Sequence, residues 1–457
     1  TTVAGSIANV NTTAANITDV NTFAVRYRIG ATNPTTSLDE GDLFFNTTDN
    51  ELKFYNGSAW STIQGGIANV VDDNSPQLGG NLDLNSNDIT GTGNIDNVGT
   101  ITTDGLTVAG NVSVDGGSIK LDGNYPTGTR NVALGDTALD SVEAGGADNT
   151  VIGSKAGTQT TTGDRNTVYG SDAYRCNATA SDNTAFGYQA MYCNTSGHNN
   201  VAVGNALCKN ESGLYNVAMG SGALSSNTTA SANVGIGRFA LQANTTGGCN
   251  VAIGCCALKS NTTASNNVAV GRNALTANTT GANNVAVGMS ALTSNVTGAA
   301  NTAVGTCSLQ NVDANGNNAF GYFALYNTSS GTCNVAIGQD STRCNTSGSC
   351  NVSIGNQSLR ANTTASNNIA IGTCSLNANT TGTQNVAIGR AALSLNTTAS
   401  NNTAVGDEAL KVNTASNNVA VGTAALLVNT TGTGNTLVGW QAGRRITTGN
   451  GNVAVGC

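Results

Sequence analysis

The acidic side chains are the first candidates for chemistry, because an enzyme that cleaves polysaccharides needs two carboxylates on either side of a glycosidic bond. Beyond residue 150 the chain holds only eight Asp and Glu residues, and Asp407 and Glu408 are the one adjacent pair. Side chains of neighbouring residues in a strand point to opposite sides. The sequence therefore favours a protein that is not an enzyme, with a glycan hydrolase as the rival hypothesis.

Histidine and cysteine offer little more to a metal or catalytic site. His198 is the only histidine, and we interpret it as an exposed turn residue. The twelve cysteines lack the spacing of zinc ligands. Cys176 and Cys193 are 17 residues apart, and so are Cys333 and Cys350. If the chain winds into stacked coils of that length, the two cysteines of each pair lie on neighbouring coils and within disulfide range. Free thiols are the favoured interpretation, and no cofactor or metal is predicted.

Three further residue types could act at a surface. A recurring glycine is followed by Arg238, Arg272 and Arg390, which are candidates for contact with anionic glycans. The competing interpretation is that these arginines are exposed to solvent and bind no ligand. The many Asn-Thr-Thr sequences would be glycosylation acceptors in a secreted eukaryotic protein, but Asn also suits turns. Thr279 and Thr280 are consecutive, whereas ice-binding solenoids present threonines with one residue between them.

The composition argues against an ordinary globular enzyme. Only 10% of residues are charged and 4% aromatic, whereas Gly occurs 58 times and Pro three times. The net charge of −8 divides into −13 over residues 1–150 (18 acidic, 5 basic) and +5 over residues 151–457 (8 acidic, 13 basic). Scattered Lys and Arg without a stacking platform do not predict a nucleic-acid partner. No apolar run is long enough to predict membrane insertion.

One repeat occupies the chain from residue 131 onward and predicts its architecture. The unit reads N-x-V-A-V/I-G-x-x-A-L-x-x-N-T-T-x-x, and its glycine recurs in twenty copies between Gly135 and Gly456. Fifteen of the nineteen glycine spacings equal 17, three equal 16 and one equals 18. Such self-similarity predicts a solenoid with one repeat per coil. The β-branched runs bounded by Asn and Gly predict strands, so we expect two short strands and two turns per coil.

The strand of each coil is apolar on both faces. Val268 and Val270 share one face and Ala269 takes the other, before Gly271 ends the strand; Leu275 is expected to face the core. Strands of this kind are buried on both sides, so a neighbouring chain should cover one face. We expect small alanines to let the chains approach closely in a homotrimer. These alanines are Ala202, Ala252, Ala269, Ala286, Ala336, Ala387 and Ala420.

Two columns of asparagine are predicted to run along the solenoid axis. Such ladders satisfy buried turn amides. With a rise of about 4.8 Å per coil, nineteen steps give a rod of roughly 90 Å, which suits a spacer or a display surface. One ladder contains Asn267, Asn284 and Asn301, and the other contains Asn261, Asn278 and Asn295.

The repeat resembles a known family. The sequences N-N-V-A-V-G at 266–271 and N-N-V-A-V-G-M-S-A-L at 283–292 are similar to the head repeats of trimeric autotransporter adhesins of the YadA type. The resemblance covers residues 131–457 and implies a trimeric left-handed parallel β-roll. The unit here is longer than the usual one in that family, and no signal peptide or membrane barrel is visible.

The N-terminal segment predicts a trimeric coiled-coil neck over residues 1–28. Its seam residues, which would face the partner helices, are spaced alternately four and three apart. Asn21 in the seam either fixes the register of the helices or marks the point where the coiled coil frays. Because the pattern is in register from the start, we expect the chain to be part of a longer one. The seam consists of Val3, Ile7, Val10, Ala14, Ile17, Asn21 and Ala24.

Two further modules follow the neck. Residues 29–65 predict a small β-meander with strands at 43–45, 52–55 and 59–61, and with the neck they resemble a segment of marine phage tail fibres. Residues 66–130 alternate apolar and polar side chains between Gly and Asn. They resemble the triple-stranded β-helix of phage fibres and then link into the roll.

Thin modules in series are the plan of a fibre. The predicted fold is therefore all-β and fibrous: a trimeric left-handed parallel β-solenoid of about twenty 17-residue coils, preceded by a triple β-helix, a β-meander and a coiled coil. The resemblances imply the tail fibre shaft of a marine podovirus-like bacteriophage, located in the virion. Its expected partners are further copies of itself, virion tail proteins at the N-terminal side, and a host surface glycan or protein receptor. The alternative is a bacterial surface adhesin of the autotransporter type.

Overall fold

The computed structural model describes residues 26–63, 129–143 and 145–457, and all regular elements of these residues are β-strands. The chain divides into two compact units, Thr1–Val112 and Ser113–Cys457.

Several predictions from the N-terminal third lie outside the described residues. They are the triple-stranded β-helix of residues 66–130, except for the last two positions, and the coiled-coil seam. The seam residues concerned are Val3, Ile7, Val10, Ala14 and Ile17.

The described part of the first unit is a four-stranded sheet in the order β1-β2-β3-β4. Its strands are β1 (Tyr27–Gly30), β2 (Leu43–Asn46), β3 (Glu51–Tyr55) and β4 (Trp60–Thr62). The last three strands form the predicted antiparallel meander, whereas β1 pairs with β2 in parallel. The prediction placed Tyr27 and Arg28 in the coiled coil, which is wrong, because both lie in β1.

The small sheet is held by an aromatic cluster. Phe44 is 1% exposed, its ring centroid lies 5.6 Å from that of Trp60, and the Tyr55 centroid lies 5.5 Å from that of Trp60. The indole Nε1 of Trp60 donates to the carbonyl of Pro34 at 2.9 Å. This bond gives the indole N–H of the half-buried Trp60 a hydrogen-bond partner.

The second unit is a parallel β-solenoid in which one strand of three residues recurs in every coil. Each strand pairs in parallel with the strand of the next coil, with no offset: Val268 faces Val285, and Ala269 faces Ala286. The strands are β5 (Val132–Leu134), β6 (Thr150–Ile152), β7 (Thr167–Tyr169), β8 (Thr184–Phe186), β9 (Val201–Val203), β10 (Val217–Met219), β11 (Val234–Ile236), β12 (Val251–Ile253), β13 (Val268–Val270), β14 (Val285–Val287), β15 (Thr302–Val304), β16 (Asn318–Phe320), β17 (Val335–Ile337), β18 (Val352–Ile354), β19 (Ile369–Ile371), β20 (Val386–Ile388), β21 (Thr403–Val405), β22 (Val419–Val421), β23 (Thr436–Val438) and β24 (Val453–Val455).

The solenoid and its repeat period are thus confirmed, but the prediction of two strands per coil is wrong. The stretch after the strand does bond from coil to coil, since the N–H of Leu275 donates to the carbonyl of Ala291 at 3.0 Å. However, Asn273 and Leu275 have φ angles of 60° and 51°. Left-handed residues at alternate positions cannot form an extended strand.

The core lies inside each coil and is built from small residues. Ala269, Ala274 and Leu275 are all 0% exposed, as the middle residue of the strand and the Ala-Leu pair are in most coils. The prediction that the strand alanines meet a neighbouring chain is therefore wrong. They pack against the leucines of their own chain, because a coil that holds a leucine leaves room for little more than a methyl group beneath its strand. Val151 and Leu437 occupy the same buried strand position in coils where glycine replaces that leucine.

Hydroxyl side chains interrupt this core once. The apolar cluster ends at Ala336 and resumes at Leu359. Between them Ser341 and Thr342 replace the usual Ala-Leu pair, and Ser353 replaces the strand alanine. The Ser353 Oγ lies 2.5 Å from the hydroxyl oxygens of both Ser341 and Thr342. The buried hydroxyls form hydrogen bonds with one another. This coil buries one leucine side chain fewer than a coil with the usual Ala-Leu pair.

Restoring the repeat consensus here is expected to stabilise the solenoid. The variant Ser341→Ala/Thr342→Leu/Ser353→Ala should gain about 1–3 kcal/mol, because it buries a leucine and leaves no hydroxyl without a partner. Thermal unfolding followed by circular dichroism measures the gain. Ser375→Ala is the matched control, since that hydroxyl donates to the carbonyl of Gly372; it should change stability by less. A triple variant that melts below the parent would contradict the expectation.

Candidate functional site

The outer face of the solenoid strands carries an apolar stripe, defined here as the last residue of each strand from β5 to β24. None of these twenty side chains is buried by its own chain. Among them Phe186, Met219 and Phe320 are 47%, 40% and 41% exposed. The stripe consists of Leu134, Ile152, Tyr169, Phe186, Val203, Met219, Ile236, Ile253, Val270, Val287, Val304, Phe320, Ile337, Ile354, Ile371, Ile388, Val405, Val421, Val438 and Val455.

The alternation of the strand places this stripe outside. Val268 and Val270 point away from the core because Ala269 points into it. At about 4.8 Å per coil the twenty strands extend for roughly 90 Å, and two outward residues are about 7 Å wide. The stripe and the first strand residues beside it therefore cover about 600 Å² together, at the upper end of what a monomer usually exposes in one patch.

Asparagine ladders hold the coils in the register that stacks one stripe residue on the next. The Oδ1 of Asn267 accepts the backbone N–H of Asn284 at 2.9 Å, and the Oδ1 of Asn284 accepts that of Asn301 at 3.0 Å. The Nδ2 of Asn284 donates to the carbonyl of Gly298 at 2.8 Å. The predicted first ladder is therefore confirmed. Each amide side chain ties its own coil to the neighbouring coils at buried backbone groups.

The second ladder is also present and has a visible break. The Nδ2 of Asn278 donates to Asn261 Oδ1, and that of Asn295 donates to Asn278 Oδ1, both at 2.9 Å. In the next coil, which is one residue shorter, Val312 takes the place of the asparagine. The Asn295 Oδ1 is left without a partner in consequence. Because Asn278 is 0% exposed, the asparagine of its Asn-Thr-Thr sequence is no candidate for glycosylation.

In the shortened coil Asp313 takes over the role of a backbone carbonyl. Its Oδ1 accepts the N–H groups of Val296, Thr297 and Gly298 at 3.1, 2.7 and 3.0 Å. Loss of some hydration would by itself raise the pKa of this exposed carboxylate, but these hydrogen bonds outweigh that effect and hold the pKa of Asp313 below its usual range.

This carboxylate is expected to make the local coil stability depend on pH. A lowered pKa in the folded state means that the stabilisation is present at pH values above the unfolded-state pKa of about 3.9. It is lost as the pH falls through the folded-state pKa. We expect the amides of Thr297 and Gly298 to lose hydrogen-exchange protection over that acidic range, by less than about 1 kcal/mol because Asp313 is exposed. Asp313→Asn should remove this pH dependence; an unchanged profile in the variant would contradict the assignment.

The adjacent acids are arranged as ion pairs. The Nη2 of Arg390 lies 2.9 Å from Asp407 and 3.6 Å from Glu408, and the Nζ of Lys411 lies 2.9 Å from Glu408. The hydrogen bond from Lys411 holds the pKa of Glu408 below its ordinary value. A glycosidase acid needs the opposite shift. The pair therefore gives the hydrolase hypothesis no support.

His198 has a structural partner and is half-buried, which corrects the expectation of an exposed residue. Its Nδ1 accepts the backbone N–H of Ser181 at 2.9 Å. The hydroxyl of Ser231 accepts the N–H of Leu214 in the same way at 3.0 Å. The imidazole therefore substitutes for a serine that joins one turn to the next.

The twelve cysteines are free thiols. Burial, followed by the contact with Cys176, raises the pKa of Cys193 to about 12, which keeps it protonated and unreactive near neutral pH. The Sγ atoms of Cys255 and Cys256 lie 3.4 Å apart. Across the described residues no three His, Cys, Asp or Glu side chains form a group that could hold a metal ion.

The three arginines predicted to contact glycans engage neighbours on their own chain. Arg238 lies over the Phe239 ring at 4.3 Å, the Nη2 of Arg272 lies 3.2 Å from the Met289 sulfur, and Arg390 forms the ion pairs given above. An aromatic cluster in the C-terminal half of the solenoid was not predicted. The signal was present in the sequence Y-F-A-L-Y at 322–326.

Within the part of the chain that the structure describes, no helix has the length and apolar character of a membrane span. Comparison with protein-family models, curated proteins and solved structures finds no significant match. The class that the geometry defines is therefore a parallel β-solenoid with an apolar outer stripe.

Proposed function

We propose that this chain is a structural and adhesive fibre protein, a homotrimeric viral tail fibre shaft that projects toward the host cell surface and attaches to it. The observation that carries the proposal is the apolar stripe. It runs over all twenty strands of the solenoid on the face that the chain's own core does not cover.

Further copies of the same chain are the occupant that fits this stripe. Together with the first strand residues beside it, the stripe covers about 600 Å², which is comparable with the ~800 Å² that one partner contributes to a stable interface. The stripe is apolar over its whole length and repeats with the period of the coils, so an identical stripe matches it in spacing. The first residues of the strands flank it with Val, Ile, Thr and one Asn, which adds no charge to the contact.

The fold suits a spacer. Each coil bonds only to its neighbours in sequence, and a solenoid of this type grows in one dimension. The acidic pair and the histidine have partners that account for them, so a structural role explains the described residues better than a reaction does. The alternative is a bacterial surface adhesin of the autotransporter type, favoured by the N-N-V-A-V-G motif alone.

Solution mass is the measurement that tests the proposal. Multi-angle light scattering on residues 1–457, combined with sedimentation velocity, should give three times the chain mass of 45.6 kDa and a high frictional ratio. A compact monomer would overturn the fibre proposal and would leave the stripe without an occupant.

A further inference from the structure

One aromatic and cationic cluster stands apart from the repeat, formed by the residues that follow strands β16, β17 and β18. We name it the aromatic–arginine platform, and it comprises Phe323, Tyr326, Asp340, Arg343 and Arg360. The three successive coils place Tyr326, Arg343 and Arg360 at the same repeat position. The N–H of Asn327 donates to the carbonyl of Arg343, and that of Cys344 donates to the carbonyl of Arg360.

The rings and the first guanidinium are fixed against one another. The Phe323 centroid lies 4.9 Å from that of Tyr326, with the rings edge-on. The guanidinium carbon of Arg343 lies 4.7 Å from the Phe323 centroid and 5.8 Å from the Tyr326 centroid. Its Nη1 lies 3.0 Å from the Oδ1 of Asp340. Such mutual contacts hold the side chains in place before any ligand arrives.

The second guanidinium has no such partner. Arg360 is exposed, and no carboxylate of the described residues lies within 4.0 Å of it. Tyr322, next to the platform, is 48% exposed and lies 4.1 Å from Phe323 between ring centroids. The platform contains two arginines and one aspartate, so it carries a net charge of +1.

We propose that the aromatic–arginine platform binds an acidic sugar residue of a surface glycan. The apolar face of the sugar ring packs on the half-exposed aromatic side chains, and its carboxylate accepts hydrogen bonds from Arg360. Planar guanidinium groups match a carboxylate in a bidentate geometry. This inference rests on the proposed attachment function and names the class of ligand and the residues that bind it.

The observations favour a glycan over a single-stranded nucleic acid. A nucleic acid needs cations that follow its backbone over many phosphates, whereas this cluster spans three coils and includes an aspartate. They also favour a ligand over mere packing, because the leucine of the same coil, Leu325, already fills the core at 0% exposure. The rings lie outside that core and contribute to a surface.

The test is titration calorimetry on the full chain, with an oligogalacturonate and an oligosialate as acidic probes. The methyl ester of the oligogalacturonate serves as the uncharged probe. Arg360→Gln should weaken binding of at least one acidic probe by about tenfold, the value of one charge-assisted hydrogen bond. Tyr326→Leu should weaken it as well. Arg445→Gln, which removes an exposed arginine from a coil outside the platform, should leave binding unchanged.

Each contrary outcome overturns the assignment. Equal losses in Arg445→Gln and Arg360→Gln would mean diffuse attraction to a basic surface. Equal affinity for the methyl ester would exclude a role for the carboxylate, and tighter binding of an oligothymidylate would indicate a nucleic-acid partner. If neither acidic probe binds while light scattering still gives an elongated trimer, the platform proposal fails and the fibre proposal stands.

Discussion

Replacing Gly271 by alanine is expected to destabilise the solenoid by at least about 3 kcal/mol. The φ angle of Gly271 is +132°, a region that costs a residue with a side chain about 1–3 kcal/mol. A Cβ atom there would lie 2.6 Å from the carbonyl oxygen of Gly288 and 2.7 Å from its carbon. Those backbone atoms cannot yield, because Gly288 is stacked in the same way on Gly305.

A substitution at a second glycine separates the cost of backbone strain from the cost of the steric clash. Gly434 has a φ angle of +66° and nothing within 4 Å of the added Cβ, so Gly434→Ala should cost only about 1–2 kcal/mol of backbone strain. Thermal unfolding gives the overall loss. Amide exchange in the coils around residue 271 gives the local loss, which matters because a long repeat array need not unfold in one step. Equal losses in the two variants would show that the stacked contact contributes nothing.

Placing lysines in the apolar stripe is expected to abolish the proposed trimer. In Val270→Lys/Val287→Lys each chain adds two ammonium groups to the stripe. The stripe and the first strand residues beside it contain no Asp or Glu that could pair with them, and burying an unpaired charge costs several kcal/mol. Since Val270 and Val287 point away from the core, the coil itself should remain folded. We expect light scattering to report monomer at micromolar concentration, with the circular dichroism spectrum of the parent.

The matched control carries the same added charge elsewhere on neighbouring coils. Thr263 and Thr280 are exposed turn residues, and Thr263→Lys/Thr280→Lys should leave the mass unchanged. A trimer that survives the lysines in the stripe but not those in the turns would move the interface from the strand face to the turn face. Loss of folding in the stripe variant would show instead that the outer valines support the coil.

The repeat predicted much of the solenoid because its interactions are local and identical in every coil. The fixed period of the repeat requires Asn284 to lie beside Asn267, and no other pairing satisfies the backbone amides at those turns. The parallel strand β1 could not be predicted in this way. It pairs with β2 across twelve intervening residues, and nothing in the local pattern of Tyr27–Gly30 distinguishes it from the end of a helix.

The sequence by itself determined the class of fold, the length of each coil, the strand position and the two asparagine ladders. Tertiary structure alone decided which strand face is inside. Period-two alternation separates Ala269 from its valine neighbours but does not say which face meets the core. That choice depends on how Leu275 crosses the coil and leaves room for one methyl group. The same packing turns the valines outward, and for this reason the chain itself leaves the stripe, and not the alanine face, uncovered.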